Sequence, residues 1–361
     1  SKDDVTIYSA VPSYVEDVSG AKKDLSSESS FNYKANLIFN GSNYVNGSVN
    51  IDDGNIELDG GVTFDGTVKA GSIDVDTTSN IIFNLNVDLS ADATKDMNFS
   101  VDGNVLLNGN LIGDITSLGD NLGNLTVLGD SSGKNQLIKG NIGSSISSDI
   151  NSLNIGSGGT NYSKTTIDGN VFANSTVLNN NSELILSSDK NITSTITTKG
   201  NGTGVLTLQG GTQTVDGQVG TDGDRVSEIN TGNGITTFSR DVYANNLDVE
   251  GSGTVNLNGN FIGTALNYND AGIVNLADGK NISSIITTDA INQGTLNLAG
   301  TSTISGTIGS LTNKLNEINV NGGIDKEVTF NNDVYVKKLN FSQNGNVLLN
   351  GNLIGDITSL G

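Results

Sequence analysis

The stretch GNVLLNGNLIGDITSLG occurs twice in the chain, at Gly103–Gly119 and again at Gly345–Gly361. It consists of short apolar runs separated by Asn and Gly, and it contains no plausible nucleophile–base pair, metal-ligand cluster or phosphate-binding loop. Recurrence of such a stretch, letter for letter, is typical of repeat architectures. The stretch therefore predicts the shape of one layer in a stack.

The likeness extends beyond these seventeen residues. Asn98–Gly119 matches Asn340–Gly361 at 20 of 22 positions with an offset of 242, and a looser copy covers Gly253–Leu266. Because the copies recur in tandem, the sequence favours a repeat protein over a set of separate globular domains.

A second repeated element gives the length of the unit. Gly300–Gly323 resembles Gly211–Gly234 and, more faintly, Gly140–Gly159. A third element follows each copy and places Phe238 and Phe330 92 residues apart. The unit is therefore about 90 residues long, and it must be several layers tall because one solenoid turn takes about 20–30 residues.

The apolar residues indicate strands. They make up only 34% of the chain, but they recur in alternating runs such as Val205–Leu208 and Thr295–Leu298. Alternation with a period of two is the pattern of a β-strand with one buried face, and no amphipathic helical run of ten or more residues appears. The predicted fold is all-β: an elongated parallel β-helix, or β-solenoid, built from tandem repeats of roughly 90 residues.

Asn-Gly pairs are expected at the corners of this coil. Asn108-Gly109, Asn258-Gly259 and Asn350-Gly351 read as corners whose left-handed backbone suits Gly and Asn. Type I′ hairpin turns are the alternative. In a coil, equivalent positions stack, so we expect Asn side chains to form amide columns at the bends and aliphatic side chains to form a thin continuous core.

Residues 1–31 lack the repeat signature and contain Pro12 and the Ser-rich run LSSESS. They are expected to form a cap on the first layer, which repeat arrays need, or a lead-in segment used in assembly. Residues 32–361 carry the repeats and are assigned to the solenoid. Because Gly361 falls inside the best-matched repeat, we expect these residues to be part of a longer array.

The charge of the chain limits its partners. Its 39 acidic and 18 basic residues give a net charge of −21, which repels nucleic acid and anionic headgroups. There is no run of 18 apolar residues, so no membrane span is expected in this segment. Cysteine is absent and indicates no compartment.

Catalytic chemistry has few residues to use. The chain has no His and no Cys, which leaves carboxylates such as the pairs Asp74/Asp76 and Asp222/Asp224. Glycoside hydrolysis needs two acids facing each other across a sugar, whereas acids at solvated turns are the ordinary interpretation. We expect no enzyme and assign no catalytic, cofactor-binding or metal-binding residue; a polysaccharide-degrading β-helix enzyme is the remote alternative.

Two acidic loop fragments can be compared with calcium-binding loops. Asp52–Asn55 (DDGN) and Thr221–Asp224 (TDGD) resemble fragments of an oxygen-ligand loop, but the EF-hand glutamate is not in register. Turn-forming Asp is the ordinary alternative. The prediction is therefore no cofactor, with calcium as the alternative.

The tract Gly294–Phe341, with its relative at Val205–Val249, resembles the passenger regions of rickettsial-type surface autotransporters, the outer-membrane-protein A and B family. The likeness covers roughly Val62–Gly361. It implies an exported β-helical protein displayed on a Gram-negative-type outer surface, where it would act as an adhesin or a surface-layer lattice.

Two functions are therefore compared. The first is a non-enzymatic extracellular rod that forms a surface layer, fibre or filament by self-association through its ends or lateral faces, with residues 1–31 pairing head to tail. The second is an adhesin that binds host or neighbouring cells. The candidate adhesive segments are the insertion between Gly119 and Lys164 and the segments around Tyr243, Tyr268 and Tyr335.

Overall fold

A computed structural model describes residues 36–91, 96–129, 135–158 and 162–359, together with the backbone of three short strands before them. The described residues form 39 strands and no helix. In chain order the strands are β1 Val5–Thr6, β2 Tyr14–Glu16, β3 Lys22–Asp24, β4 Asn36–Phe39, β5 Asn43–Val45, β6 Val49–Asn50, β7 Asn55–Leu58, β8 Val62–Phe64, β9 Val68–Lys69, β10 Ser72–Val75, β11 Asn80–Phe83, β12 Val87–Asp88, β13 Asp96–Phe99, β14 Asn104–Leu107, β15 Leu111–Ile112, β16 Asp114–Ser117, β17 Asn124–Val127, β18 Asn135–Lys139, β19 Ile150–Ile155 and β20 Ser163–Ile167. They continue with β21 Val171–Leu178, β22 Ser182–Leu186, β23 Ile192–Thr198, β24 Thr203–Leu208, β25 Gly211–Asp216, β26 Val226–Thr231, β27 Gly234–Phe238, β28 Val242–Val249, β29 Thr254–Leu257, β30 Phe261–Tyr268, β31 Ile273–Leu276, β32 Ile282–Thr288, β33 Gln293–Leu298, β34 Ser302–Ile304, β35 Leu315–Val320, β36 Glu327–Phe330, β37 Val334–Phe341, β38 Asn346–Leu349 and β39 Leu353–Ser359.

The strands form a parallel coil with three faces. β4, β5 and β6 lie on the first, second and third faces, and they pair in parallel with β7, β8 and β9 of the next turn. Continued pairing gives two 16-stranded sheets and one five-stranded sheet, whose ladder is carried on by the single bridges Ile115–Ile142 and Ile142–Val171. The predicted parallel β-solenoid is confirmed: about 16 turns stack at ~4.8 Å each, which makes a rod about 75 Å long.

A single thin core runs through the coil. Inward positions alternate with half-exposed ones, as in β29, where Val255 and Leu257 are buried and their neighbours are not. Aromatic residues also stack from turn to turn: the rings of Phe64 and Phe83 lie nearly parallel, with centroids 5.0 Å apart. Burial of each large apolar side chain stabilises the fold by roughly 1.5–3 kcal/mol relative to exposure.

The Asn-Gly pairs do form corners, but not for the expected reason. The strands that flank Asn108-Gly109 pair in parallel with the turns above and below, so the hairpin alternative is wrong. Gly109, Gly259 and Gly351 do not have left-handed φ angles. They are needed for close stacking, since a Cβ at Gly259 would lie 2.2 Å from the carbonyl carbon of Arg240 in the turn below.

These short corners move around the coil as the chain advances. A short corner is a three-residue link between two inward residues, as between Phe64 and Val68, and at first it joins the second face to the third. Each later position lies one edge further on. Short corners lie between Ile138 and Ile142 (third to first face), Val215 and Val219 (first to second) and Ile304 and Ile308 (second to third again).

The identical copies return to the same edge. Along the second face, consecutive pairings lead in eleven steps from Val105 to Leu349, so the short corners after Leu107 and Leu349 lie on one edge. Burial differs because only the first copy has a described turn on both sides. Leu107 is 1% exposed, whereas its equivalent Leu349 is 36% exposed.

Most of residues 1–31 lies outside the described residues. Their expected role as a cap or assembly segment therefore stays a prediction. Of this region, β1 pairs in parallel with β6, and β2 pairs in antiparallel fashion with β3.

Candidate functional site: polar columns on the outer faces

Five asparagines on the outer side of the first face form a hydrogen-bonded column. One comes from each of five successive turns: Asn256, Asn275, Asn297, Asn319 and Asn340. Each Nδ2 donates to the Oδ1 of the asparagine one turn earlier, at 2.8, 2.7, 2.8 and 3.0 Å along the column. Threonines close both ends, since Asn256 donates to Thr237 Oγ1 at 3.1 Å and Thr358 Oγ1 donates to Asn340 at 3.0 Å.

This column lies in the middle of strands and not at the bends where amide columns were expected. The reason is its pairing register: parallel strands that stack without offset bring like residues within hydrogen-bond distance on a flat face. Four of the amides are half-buried and that of Asn340 is buried, and all donate in the same direction, so neighbouring bonds polarise one another. Each bond contributes about 0.5–1.5 kcal/mol net.

A different type of column stands at the bends. There the side-chain oxygen of Asn or Asp accepts a backbone N–H from the next turn, as Asn141 does from Asn170 (2.9 Å) and Asn170 from Asn191 (2.8 Å). The columns follow the short corner from edge to edge. They consist of Asn86 and Asn110, then Asp114, Asn141, Asn170 and Asn191, then Asp241, Asn260 and Asn281, and finally Asp333.

The five-stranded part of the first face is acidic. Asp74, one of the acids compared above with a glycosidase pair, accepts from Asn55 Nδ2 at 3.0 Å, and Asp76 accepts from the Ser100 hydroxyl. Asp74 and Asp76 lie on the same outer face and do not oppose each other across a gap. The pKa of Asp96 on this face is raised, chiefly by burial and further by Asp74, against a lowering hydrogen bond from Thr116.

In each of the two loop fragments compared above with a calcium-binding loop, an aspartate forms an ion pair with a basic side chain of the protein. Asp52 Oδ1 lies 3.1 Å from Lys69 Nζ, and Asp222 Oδ1 lies 2.8 Å from Arg225 Nη2. The structure instead groups Glu57, Asp59 and Asp76, with one carboxylate oxygen from each within 4.8 Å of the others. These three could hold a cation. Sequence reasoning missed them because they come from adjacent turns, which only the strand register aligns.

A second polar cluster lies on the third face, at Glu183. Although burial opposes ionisation, hydrogen bonds from Lys164, Tyr162 and Thr207 lower the pKa of Glu183. Lys164 Nζ is 3.0 Å and the Tyr162 hydroxyl is 2.8 Å from Glu183 Oε2. Burial and this carboxylate raise the pKa of Tyr162 to about 12. The cluster ties three successive turns together, because Lys164 pairs with Glu183 and Thr207 belongs to the next strand.

Of the tyrosines expected in adhesive segments, Tyr268 belongs to the core. It occupies an inward position between Val249 and Thr288 of the adjacent turns, and its hydroxyl donates to the carbonyl oxygen of Thr295 at 3.0 Å. Burial raises the pKa of its hydroxyl. Tyr268 therefore cannot contact a partner, whereas Tyr243 and Tyr335 are half-exposed.

The backbones of Tyr243 and Tyr335 lie beside the starts of two of three equivalent loops, which we call the corner loops: residues 144–148, 221–224 and 310–313. Each corner loop follows a left-handed glycine, at Gly143, Gly220 and Gly309. A Cβ on these glycines would lie 2.2–2.4 Å from the carbonyl oxygens of Phe172, Tyr243 and Tyr335 respectively. In each loop the backbone N–H of the first residue donates to the carbonyl oxygen of the last, from Ser144 to Ser148, from Thr221 to Asp224 and from Ser310 to Asn313.

The corner loops point to three different sides of the rod. The inward residue that precedes each loop lies on a different face: Ile142 on the first, Val219 on the second and Ile308 on the third. The ladders show this, because Val215 stacks in line with Ile142 and is followed by Val219 on the next face. In the same way Ile304 stacks in line with Val219 and is followed by Ile308 on the face after that. Two loops present an aliphatic tip. Ile146 is 72% and Leu311 is 71% exposed.

Three comparisons with known proteins were negative. No protein-family model, no curated protein and no solved structure matches the chain. Throughout the described residues, no helix has the length and apolar character to span a membrane. The resemblance to autotransporter passengers therefore stays a prediction.

Proposed function

We propose that the protein is a non-enzymatic structural rod of the bacterial cell surface, outside the cell, that assembles into a layer, fibre or filament. One observation carries this proposal: the asparagine column joins seven successive turns from Thr237 to Thr358 by side-chain bonds alone. Such a column adds cross-links along the axis to those of the backbone ladders. A rod that transmits force or holds a spacing benefits from bonds in this direction.

The last described turn shows how much burial a neighbouring turn contributes. There Val347, Leu349 and Leu353 lie at the positions that a further turn buries in the first copy of the repeat. Ile357 is 60% exposed, whereas its equivalent Ile115 is fully buried. These differences show that the inward side chains of one turn are buried by the turn that stacks on it.

Electron microscopy of the purified protein tests the proposal. We expect rods that join into filaments or sheets with a strand repeat near 4.8 Å in fibre diffraction. Residues 1–31 are proposed to supply the pairing layer, so a variant without them should remain as single rods. Particles that stay monomeric at all concentrations would contradict a structural role, and polymers formed normally by the deletion variant would contradict the role of residues 1–31.

The corner loops favour adhesion as the second candidate. Their placement on three sides would let one rod contact partners in several directions, and Ile146 and Leu311 are exposed apolar anchors of the type found at interfaces. Here we expect the double variant Ile146→Ser/Leu311→Ser to lose binding to host or neighbouring cells while it still forms rods. The matched control is Ile291→Ser, since Ile291 is also exposed but lies outside the corner loops.

A further inference from the structure

A polar groove of about 490 Å³ runs along the edge between the first and second faces. Thr195, Gln218, Ser239 and Asn258 line it, together with Arg240 and Lys280. These residues come from five successive turns, as the ladder from Ile196 through Val219, Val242 and Phe261 to Ile282 establishes. The groove therefore extends over four turn spacings, about 19 Å along the rod.

Two cations stand at equivalent positions in this groove. Arg240 precedes Val242 by two residues and Lys280 precedes Ile282 by two, so they occupy the same corner position two turns, or ~9.6 Å, apart. Among the described residues neither side chain forms an ion pair. This corner therefore carries two positive charges on a chain whose net charge is −21.

The position between the two cations is held by Gly259. Its Cα lies directly over the backbone of Arg240, so close that a Cβ would be 2.2 Å from the Arg240 carbonyl carbon. No side chain therefore projects between Arg240 and Lys280. The one acid that lines the groove, Asp241, directs Oδ1 to the backbone and side-chain N–H groups of Asn260, at 2.7 and 3.1 Å.

We propose that this groove binds an acidic oligosaccharide in an extended conformation, with carboxylates of alternate sugars at Arg240 and Lys280. The guanidinium fork suits a carboxylate, and the ~9.6 Å spacing is roughly the repeat of a disaccharide. The hydroxyls and amides of Thr195, Gln218, Ser239 and Asn258 can both donate to and accept from sugar hydroxyls. No apolar side chain lines the groove, so it offers no anchor for the apolar side chains of a peptide.

Isothermal titration of the whole 361-residue chain with tetragalacturonate tests the proposal, with its fully methyl-esterified form as the uncharged control. We expect saturable binding of the acid, at least tenfold weaker binding by Arg240→Gln/Lys280→Gln, and none of the ester. Because the protein is strongly anionic overall, general attraction of a polyanion cannot produce this pattern.

The matched control is Lys199→Gln/Lys314→Gln, which removes the same charge from two lysines outside the groove. It should bind as the unchanged protein does. Absence of binding by the unchanged protein, equal binding by the groove variant or an equal loss in the control variant would each overturn the proposal. Complete displacement of the sugar by an equal concentration of sulfate would also overturn it, because the site would then take any small anion.

Discussion

Asn297 Nδ2 donates to Asn275 Oδ1 at 2.7 Å, although the two residues are 22 positions apart in the chain. Each is on the outer side of the first face, and their strands, β31 and β33, pair in parallel with these two residues opposite each other. The contact therefore depends on the turn between them having the correct length. It makes the column sensitive to any change that shifts one turn against the next.

Substitution of Asn297 by Asp should destabilise the rod, because it removes the amide donor and places a carboxylate beside the Oδ1 of Asn275. We expect a cost of about 1–3 kcal/mol, the usual effect of leaving a hydrogen-bonding group without its partner. Urea unfolding at neutral pH measures it. The control is Asn46→Asp, since Asn46 is exposed and outside the column; equal midpoints for the two variants would show that the column contributes nothing.

Gly259→Ala should distort the short corner, since the new Cβ would lie 2.2 Å from backbone in the turn below. Overpacking of this type typically costs ~1–3 kcal/mol. Gly223→Ala is the matched control: nothing lies within 4 Å of a Cβ there and its φ is not left-handed, so we expect a change of less than about 0.5 kcal/mol. Thermal unfolding that affects both variants alike would rule out close stacking as the reason for the glycine.

Removal of the Asp96 charge should stabilise the protein at pH 7. Burial raises the pKa of Asp96 above the ordinary value of 3.8, and Asp74 and Asp114 raise it further. Its favourable contribution is therefore present below pH 3.8 and is lost as the pH rises through the folded pKa. We expect Asp96→Asn to raise the thermal midpoint at pH 7, with a gain that shrinks as the pH falls.

The opposite sign is expected at Asp278. Hydrogen bonds from Lys326 and from the backbone of Thr301 lower its pKa, so its contribution is present above the ordinary value and is lost as the pH falls through the folded pKa. Asp278→Asn should lower the midpoint at pH 7 and have no effect in strong acid. Thermal unfolding of Asp96→Asn and Asp278→Asn, followed by circular dichroism from pH 7 down to strong acid, compares the two residues. Shifts of the midpoint with the same sign at pH 7 would contradict the opposite directions of the two pKa shifts.

Tyr268→Phe should cost about 1 kcal/mol, because it removes the hydrogen bond from the fully buried tyrosine to the carbonyl oxygen of Thr295. Tyr243→Phe should be nearly neutral, since Tyr243 is half-exposed on the outer surface. Chemical unfolding of the two variants distinguishes a core tyrosine from a surface one. A larger loss for Tyr243→Phe would contradict the burial of Tyr268.

The sequence was sufficient to predict the parallel coil, its thin core and its corners at pairs such as Asn108-Gly109, because alternation and repeat spacing are local properties. It did not predict which residues meet across turns. Glu57, Asp59 and Asp76 form a cluster only because of the register between strands about twenty residues apart. That register depends on corner and loop lengths, which composition and local pattern do not reveal.

Because the short corner moves from edge to edge along the chain, each repeat unit has a defined orientation about the axis of the rod. From Val219 to Ile308 the chain advances by 89 residues, and the inward position that precedes a corner loop moves by one face. Excision of one such unit would leave each remaining turn well formed, yet everything beyond the cut would be rotated by a third of a revolution. Whatever the loops and the groove contact would then face a different direction, so the number of units sets the direction in which the rod presents its surfaces.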